Sequence, residues 1–257
     1  QMLDMYTCTE CGRCQNECPA YNTDKPLSPY MLVHHVKEHV MVKGKALLAG
    51  GEGGLPEGAP EAAKAALVGD VVHPDEIWAC TTCGACMEEC PASIEHVNII
   101  MGAKRYKVLT LGDIPPAAAD AVGKVQASGN PWGMPQDERF DWADGLGVPV
   151  AEAGRKVDYL YYVGCAGAYD QANQTVVRDT VALLNAAGVD FAVIGKSEKC
   201  NGDPVRRFGE EYAFTEIAID NIAKSKELVA TVEKHFPHLV VLARTRNRRD
   251  AYKFLDA

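Results

Sequence analysis

"CTECGRCQNECP" at Cys8 to Pro19 and "CTTCGACMEECP" at Cys80 to Pro91 are two copies of one pattern, C-x2-C-x2-C-x3-C-P. They hold eight of the chain's ten cysteines. Successive two-residue gaps bend a backbone around one face of a metal-sulfur cube, and this run holds [4Fe-4S] clusters in pairs. In the paired motif the fourth cysteine of each run crosses to the other cluster. Carried over here, one cluster takes Cys8, Cys11, Cys14 and Cys90, and the other takes Cys80, Cys83, Cys86 and Cys18. Gly12 and Gly84 allow the backbone to approach the sulfides, and Pro19 and Pro91 turn the chain away after the crossing ligand. Zinc also accepts four thiolates, but generally from two separated pairs. A duplicated four-cysteine run favours iron and one-electron transfer, with a zinc-stabilised, non-redox interaction module as the alternative.

The bulk numbers fit that reading. A chain of 257 residues, 47% hydrophobic, is long enough for two modest domains with separate cores. A formal charge of -9 and a pI near 5.3 supply no general electrostatic reason to bind nucleic acid or an anionic membrane. Clustered thiols remain available as ligands in a reducing compartment, so a cytoplasmic location is expected, with the cytoplasmic face of a membrane as its variant. No stretch approaches the about 20 apolar residues of a spanning helix, and none reads as a secretory signal. The chain starts at Gln1, which suggests a piece of a longer protein.

The expected fold class is α+β: an all-helical dicluster ferredoxin-type domain over residues 1–111, an extended Pro/Gly-rich connector over 112–156 with room for one short helix, and an α/β domain with a small parallel sheet over 157–257. Between the cysteine runs, Ser28 and Pro29 open a helix that extends to about Leu48 with apolar residues at helical spacing. "EAAKAALV" reads as a shorter helix, and Pro74 opens a third that leads into Cys80. In the connector Trp132, Phe140 and Trp142 are expected to pack onto a neighbouring domain. Beyond it, "VDYLYYVG", "NQTVVRDTVALLNAAG", "VDFAVIG", the long stretch from Glu210 to His235 and "HLVVLA" alternate strand and helix. Short alternating elements of this kind build a parallel sheet with right-handed crossovers.

Cys165 and Cys200 then fall in loops at the carboxyl end of that sheet, where open α/β sheets gather their ligands. They are the candidate catalytic residues, with burial as ordinary apolar thiols as the plain alternative. His35 and His39 have the i, i+4 spacing of a metal pair but read better as a solvated helix face together with His34. His96 follows the second cysteine run, near a cluster. Arg206 and Arg207 are expected to pair with Glu210 or Glu211 and receive no catalytic role. The terminal Arg244, Arg246, Arg248 and Arg249 read as a solvated tail.

With their flanks, these motifs resemble the iron-sulfur proteins related to the D-type component of heterodisulfide reductase, and within them the type that passes electrons from electron-transfer flavoprotein to quinone. The resemblance rests on "LDMYTCTECGRCQNECPAYNTDKPLSP", "IWACTTCGACMEECPASIEHV", "GNPWGMPQDERFDWADGLGVPV", "YYVGCAGAYDQANQ" and "KCNGDPVRRFGEEYAF". It implies an oxidoreductase component that relays electrons through two [4Fe-4S] clusters, from electron-transfer flavoprotein or another flavoprotein dehydrogenase towards a quinone-reducing membrane partner. The alternative is the iron-sulfur subunit of a heterodisulfide reductase or of a glycolate or lactate oxidase. It also implies a cysteine-rich second domain, in which Cys165 and Cys200 are candidates for an additional iron-sulfur cofactor. There the chain departs from the pattern. Lys199 stands where relatives show the first of two adjacent cysteines, and "VVLARTRNRRD" replaces a Cys-Pro-His-Cys segment, through truncation, divergence or a slipped reading frame.

Overall fold

The computed structural model describes residues 2–151 and 157–218. The strand expected at "HLVVLA", most of the helix expected before it, and the four terminal arginines lie outside the described residues. The described part is mostly helical with a small parallel sheet, an α+β protein. It divides into two compact units: residues 2–115 with Arg206–Glu211, and residues 116–151 and 157–205 with 212–218.

The first unit is organised by the helix Pro29–Gly50. Ser28 caps it, its Oγ accepting the Met31 N–H at 3.4 Å, and Pro29 occupies the first turn, where a missing N–H costs nothing. Leu32, Val33 and Val36 bury one stripe of this helix against Ile77, Ile94 and Ile100. Each such side chain contributes about 1.5–3 kcal/mol on leaving water. The helix Pro74–Trp78 starts with a reciprocal cap: His73 Nδ1 accepts the Asp75 N–H, and the Glu76 carboxylate accepts the His73 N–H. "EAAK" forms only one turn, Glu61–Lys64. Among the described residues of this unit, β-pairing is limited to an isolated bridge between Val68 and Val72.

The second unit contains the parallel pair β1, Tyr159–Tyr161, and β2, Phe191–Val193, in register Tyr159 to Phe191. The crossover runs through the helices Gly164–Tyr169 and Gln171–Ala186, the second capped by Asp170 on the Asn173 N–H. β2 is buried along its length and packs with Val177, Val181 and Trp142. Residues 116–128 of the expected connector form a regular helix, and Asp137–Ala143 a 3-10 helix. Trp142 is 2% exposed, with Phe140 edge-on to it at 5.7 Å. Trp132, expected to pack, is 46% exposed instead; its segment is a turn in which the Asn130 side-chain oxygen accepts the Trp132 and Met134 N–H groups at 3.2 and 3.0 Å.

Candidate functional site

The two cysteine runs fold alike. In each, the residue before the second cysteine, Glu10 or Thr82, has a left-handed backbone with φ of 56° or 57°. Gly12 and Gly84 repeat that hand at φ of 77° and 85° and open the single-turn helices Arg13–Asn16 and Ala85–Glu88. A Cβ on either glycine would meet no protein atom within 4 Å, so it is the positive φ, not crowding by protein, that favours glycine there. The two short helices pack against each other.

One cavity of this unit is lined by Cys8, Cys11, Cys14 and Cys90, together with Gly12 and His96. Three of these sulfurs come from the first run and the fourth from the end of the second. Burial pushes the Cys14 thiol up to about 11, and the neighbouring Cys8, Cys90 and Cys11 charges add to the shift. Cys11, at the surface, is held below the usual thiol range by the Arg13 N–H. Around Cys86 stand Cys80, Cys83 and Cys18, and also Cys14 of the first run. Cys86 is pushed up to about 12 by burial first and then by Cys80, Cys14, Cys18 and Cys83. Cys80 is raised by burial, against a 3.4 Å bond from the Thr82 N–H to its sulfur. Cys90 accepts the Ile94 N–H at 3.4 Å. His96 is 1% exposed, with Nδ1 3.0 Å from the Ile94 carbonyl, and burial lowers its basicity.

Cys165 and Cys200 come together at the carboxyl end of the β1–β2 pair. The Cys200 thiol lowers Cys165 beside it, while Cys165 and burial raise Cys200. Arg139, 1% exposed, points Nη1 and Nη2 at the Cys165 sulfur, each at 3.5 Å. Glu198 fixes that guanidinium at 2.7 Å and also accepts the N–H groups of Gly164 and Val163 at 2.8 and 3.1 Å. Burial works against the charge on Arg139, but the Glu198 bond and the Cys165 sulfur outweigh it and hold the guanidinium firmly protonated.

Two family models match the chain: a 4Fe-4S dicluster domain over residues 7–94 and a cysteine-rich domain over residues 159–234. Among curated proteins, a probable iron-sulfur-binding oxidoreductase, FadF, of Bacillus subtilis is 38% identical over 91% of this chain and 38% of its own length. An EtfAB:quinone oxidoreductase of Syntrophomonas wolfei is 39% identical over 86% of this chain and 33% of its own. The D-type component of a dihydromethanophenazine:CoB–CoM heterodisulfide reductase of Methanosarcina barkeri is 27% identical over 87% of this chain and 50% of its own. This chain is an HdrD-like iron-sulfur protein. It spans between a third and a half of the length of these relatives. No solved structure matches it significantly.

The chain matches the model of a 4Fe-4S dicluster domain, and its relatives are named as oxidoreductases or iron-sulfur proteins. Its cysteine runs fit such clusters: sulfurs of both runs line one cavity, backbone N–H groups donate to thiols, and glycines with positive φ keep side chains off the cavity wall. Among the described residues, no three His, Cys, Asp or Glu side chains are arranged to hold a single metal ion. His34 lies between Glu10 and Glu38 at 3.1 and 3.2 Å, and His39 is buried.

The segment Arg206–Glu211, to which the sequence assigned ion pairs but no catalytic role, belongs to the first unit. Arg207 Nη1 donates to the Thr81 carbonyl at 3.0 Å. Lys104, 3% exposed, donates to the carbonyls of Cys80 and Arg207 at 3.1 and 3.2 Å and lies 5.4 Å from the Trp78 ring centre. Glu211 pairs with Arg105 at 2.8 Å and, more loosely, with Arg206 at 4.0 Å. Arg139, Glu198 and Lys104 escaped sequence reasoning because none lies in a metal-ligand motif. The one signal was that "GNPWGMPQDERFDW", a cysteine-free stretch, belongs to the family pattern.

Proposed function

We propose that this chain is an electron-relay module holding two [4Fe-4S] clusters, one on Cys8, Cys11, Cys14 and Cys90 and the other on Cys80, Cys83, Cys86 and Cys18. The observation that carries the reading is the cavity in which Cys90 of the second run joins three cysteines of the first. In this reading the helical dicluster domain precedes a cysteine-rich α/β domain. Each cluster, once bound, accepts and returns a single electron.

The chain's own groups set how readily that happens. N–H donation from Thr82 to Cys80 and from Ile94 to Cys90 withdraws charge from the thiolates. The Lys104 ammonium beside the Cys80 carbonyl acts in the same direction, because a nearby cation favours the state with one more electron. The electron donor is electron-transfer flavoprotein or another flavoprotein dehydrogenase, and the acceptor side leads to membrane quinone. The naming of one relative as an EtfAB:quinone oxidoreductase and of another, from Chromohalobacter salexigens, as a probable membrane-anchored ferredoxin supports this direction. Among the described residues no helix is long and apolar enough to cross a membrane, so the membrane partner in this proposal is supplied outside them. The module works on the cytoplasmic side.

Anaerobic purification, iron and zinc analysis, and EPR of the dithionite-reduced protein test the proposal. About eight irons per chain with two coupled [4Fe-4S] signals are expected. Zinc without iron or colour overturns it. Reduction of the clusters by reduced electron-transfer flavoprotein, and not by other flavoprotein dehydrogenases, assigns the donor.

A further inference from the structure

We propose that His96 is a positioning residue for the crossing ligand Cys90. Its ring clamps Ile94 so that the Ile94 N–H stays on the Cys90 sulfur, and this contact raises the midpoint potential of the cluster that Cys90 completes. The inference rests on the two-cluster reading and goes beyond it, by assigning a residue outside both cysteine runs to the control of one cluster.

The two runs match up to their prolines and part immediately beyond. After the first, the chain enters the 3-10 helix Tyr21–Thr23, and the Asn22 N–H, four residues past Cys18, donates to the Cys18 carbonyl at 3.0 Å. After the second, the equivalent Ile94 N–H donates to the Cys90 sulfur itself, at 3.4 Å. Ser93 makes the difference. Its own N–H goes to the Cys90 carbonyl at 3.0 Å, and its left-handed φ of 54° then swings the following peptide towards the sulfur. A residue with a Cβ disfavours that conformation, so it persists only where its surroundings impose it. Ser93 is exposed, and the restraint comes from the residues after it. Ile94 is buried in the core of the first unit with Leu32 and Ile77, and its carbonyl lies 3.0 Å from His96 Nδ1. A carbonyl only accepts, so Nδ1 carries the proton, which it does in either protonation state of the ring. His96 is itself buried, opens the helix His96–Arg105 and lines one cavity with Cys8, Cys11, Cys14 and Cys90. The clamp is thus anchored in a helix on one side and faces the ligand sulfurs on the other.

The effect on electron uptake has a definite sign. Reduction adds negative charge to the ligand sulfurs, and an N–H held on Cys90 stabilises that state. Without the His96 bond the peptide is free to take the turn seen after the first run, with its N–H on the Cys90 carbonyl, and the midpoint falls. One hydrogen bond of ordinary net worth corresponds to about fivefold in the equilibrium constant for reduction. For a one-electron couple that is ~40 mV.

The test is an EPR-monitored redox titration of the full, iron-loaded chain, with iron counted in every variant. His96→Leu should lower one midpoint by that amount and leave the other in place. His96→Asn, whose side-chain NH2 falls near the position of Nδ1, should restore most of the loss. Ser93 offers an independent handle at the surface. Ser93→Gly, free at positive φ, should keep both midpoints, whereas Ser93→Val, whose branched side chain resists positive φ, should lower the same midpoint as His96→Leu. Both midpoints unmoved in iron-loaded His96→Leu overturn the proposal, and so does a shift there that His96→Asn fails to reverse. Loss of iron in His96→Leu leaves the decision to the Ser93 pair, where midpoints unmoved in Ser93→Val overturn it. An unsubstituted chain that holds no iron overturns the two-cluster reading, and this inference with it.

Discussion

Replacing Glu198 by Gln tests how the second unit holds the cysteine pair. The Glu198 carboxylate is 2% exposed and accepts three donors: Arg139 Nη2 at 2.7 Å, Gly164 N at 2.8 Å and Val163 N at 3.1 Å. A glutamine has one acceptor oxygen, so its NH2 must turn towards either the guanidinium or the backbone amides and confront a donor with a donor. Arg139, 1% exposed, then keeps its charge with only the Cys165 sulfur, at 3.5 Å, beside it. Removing one partner of a buried pair costs about 3–5 kcal/mol. If the segments around residues 159–170 and 189–200 open together, amide exchange there should accelerate by at least about 100-fold at fixed pH, because each 1.36 kcal/mol is a factor of ten. Hydrogen exchange read by peptide mass analysis measures this. Acceleration below about threefold would refute the reasoning, since it corresponds to roughly 0.6 kcal/mol, far less than an unpaired buried guanidinium demands. The double replacement Arg139→Met with Glu198→Gln removes both charges, leaves the amide oxygen free to accept the Gly164 and Val163 N–H groups, and should recover most of the protection.

Further outcomes follow from the cysteine-run unit. Cys90→Ser should lower bound iron from about eight to about four per chain while one EPR signal persists, because each cluster draws a ligand from the other run. Lys104→Met should shift the midpoint of one cluster to a lower potential and leave the other in place, with Lys104→Arg retaining most of the original value; an EPR-monitored redox titration decides. Gly209→Ala places a Cβ 2.8 Å from the Lys104 backbone carbon at a φ of +87°, and should cost about 1–3 kcal/mol. That loss should appear as faster exchange in residues 203–212, and wild-type protection there would rule out the close packing of this segment.

Local chemistry makes several elements legible in the sequence alone. Ser28 and Pro29 announce a helix start, and the helix Pro29–Gly50 begins there. β1 and β2 lie inside the apolar runs "VDYLYYVG" and "VDFAVIG", and the stretch between them reads as helix in the pattern of Val177 and Val181. The residues around 112–156 were legible only in outline. Proline and glycine marked turns correctly, but the small apolar residues of "PAAADAVGKVQAS" form a helix whose stability comes from burying Ala118, Val122 and Val125, which composition alone does not reveal. Trp132 and Trp142 look equivalent in sequence, and only packing separates an exposed ring from a buried one.

The sequence by itself determined the kind of chemistry. Cysteine spacing is a local, covalent property: a two-residue gap can bend around a cluster face wherever the run sits, and Gly12 and Gly84 supply the required backbone hand within each run. Which distant groups meet is a different matter. The joining of Cys90 to Cys8, Cys11 and Cys14, the reach of Arg207 and Lys104 to the backbone of the second run, and the convergence of Arg139, Glu198, Cys165 and Cys200 each link residues far apart along the chain. No spacing rule encodes such meetings. They were decided by the burial of apolar helix and strand faces, which brings the polar residues on adjoining loops into one place and obliges each buried charge there to find its partner.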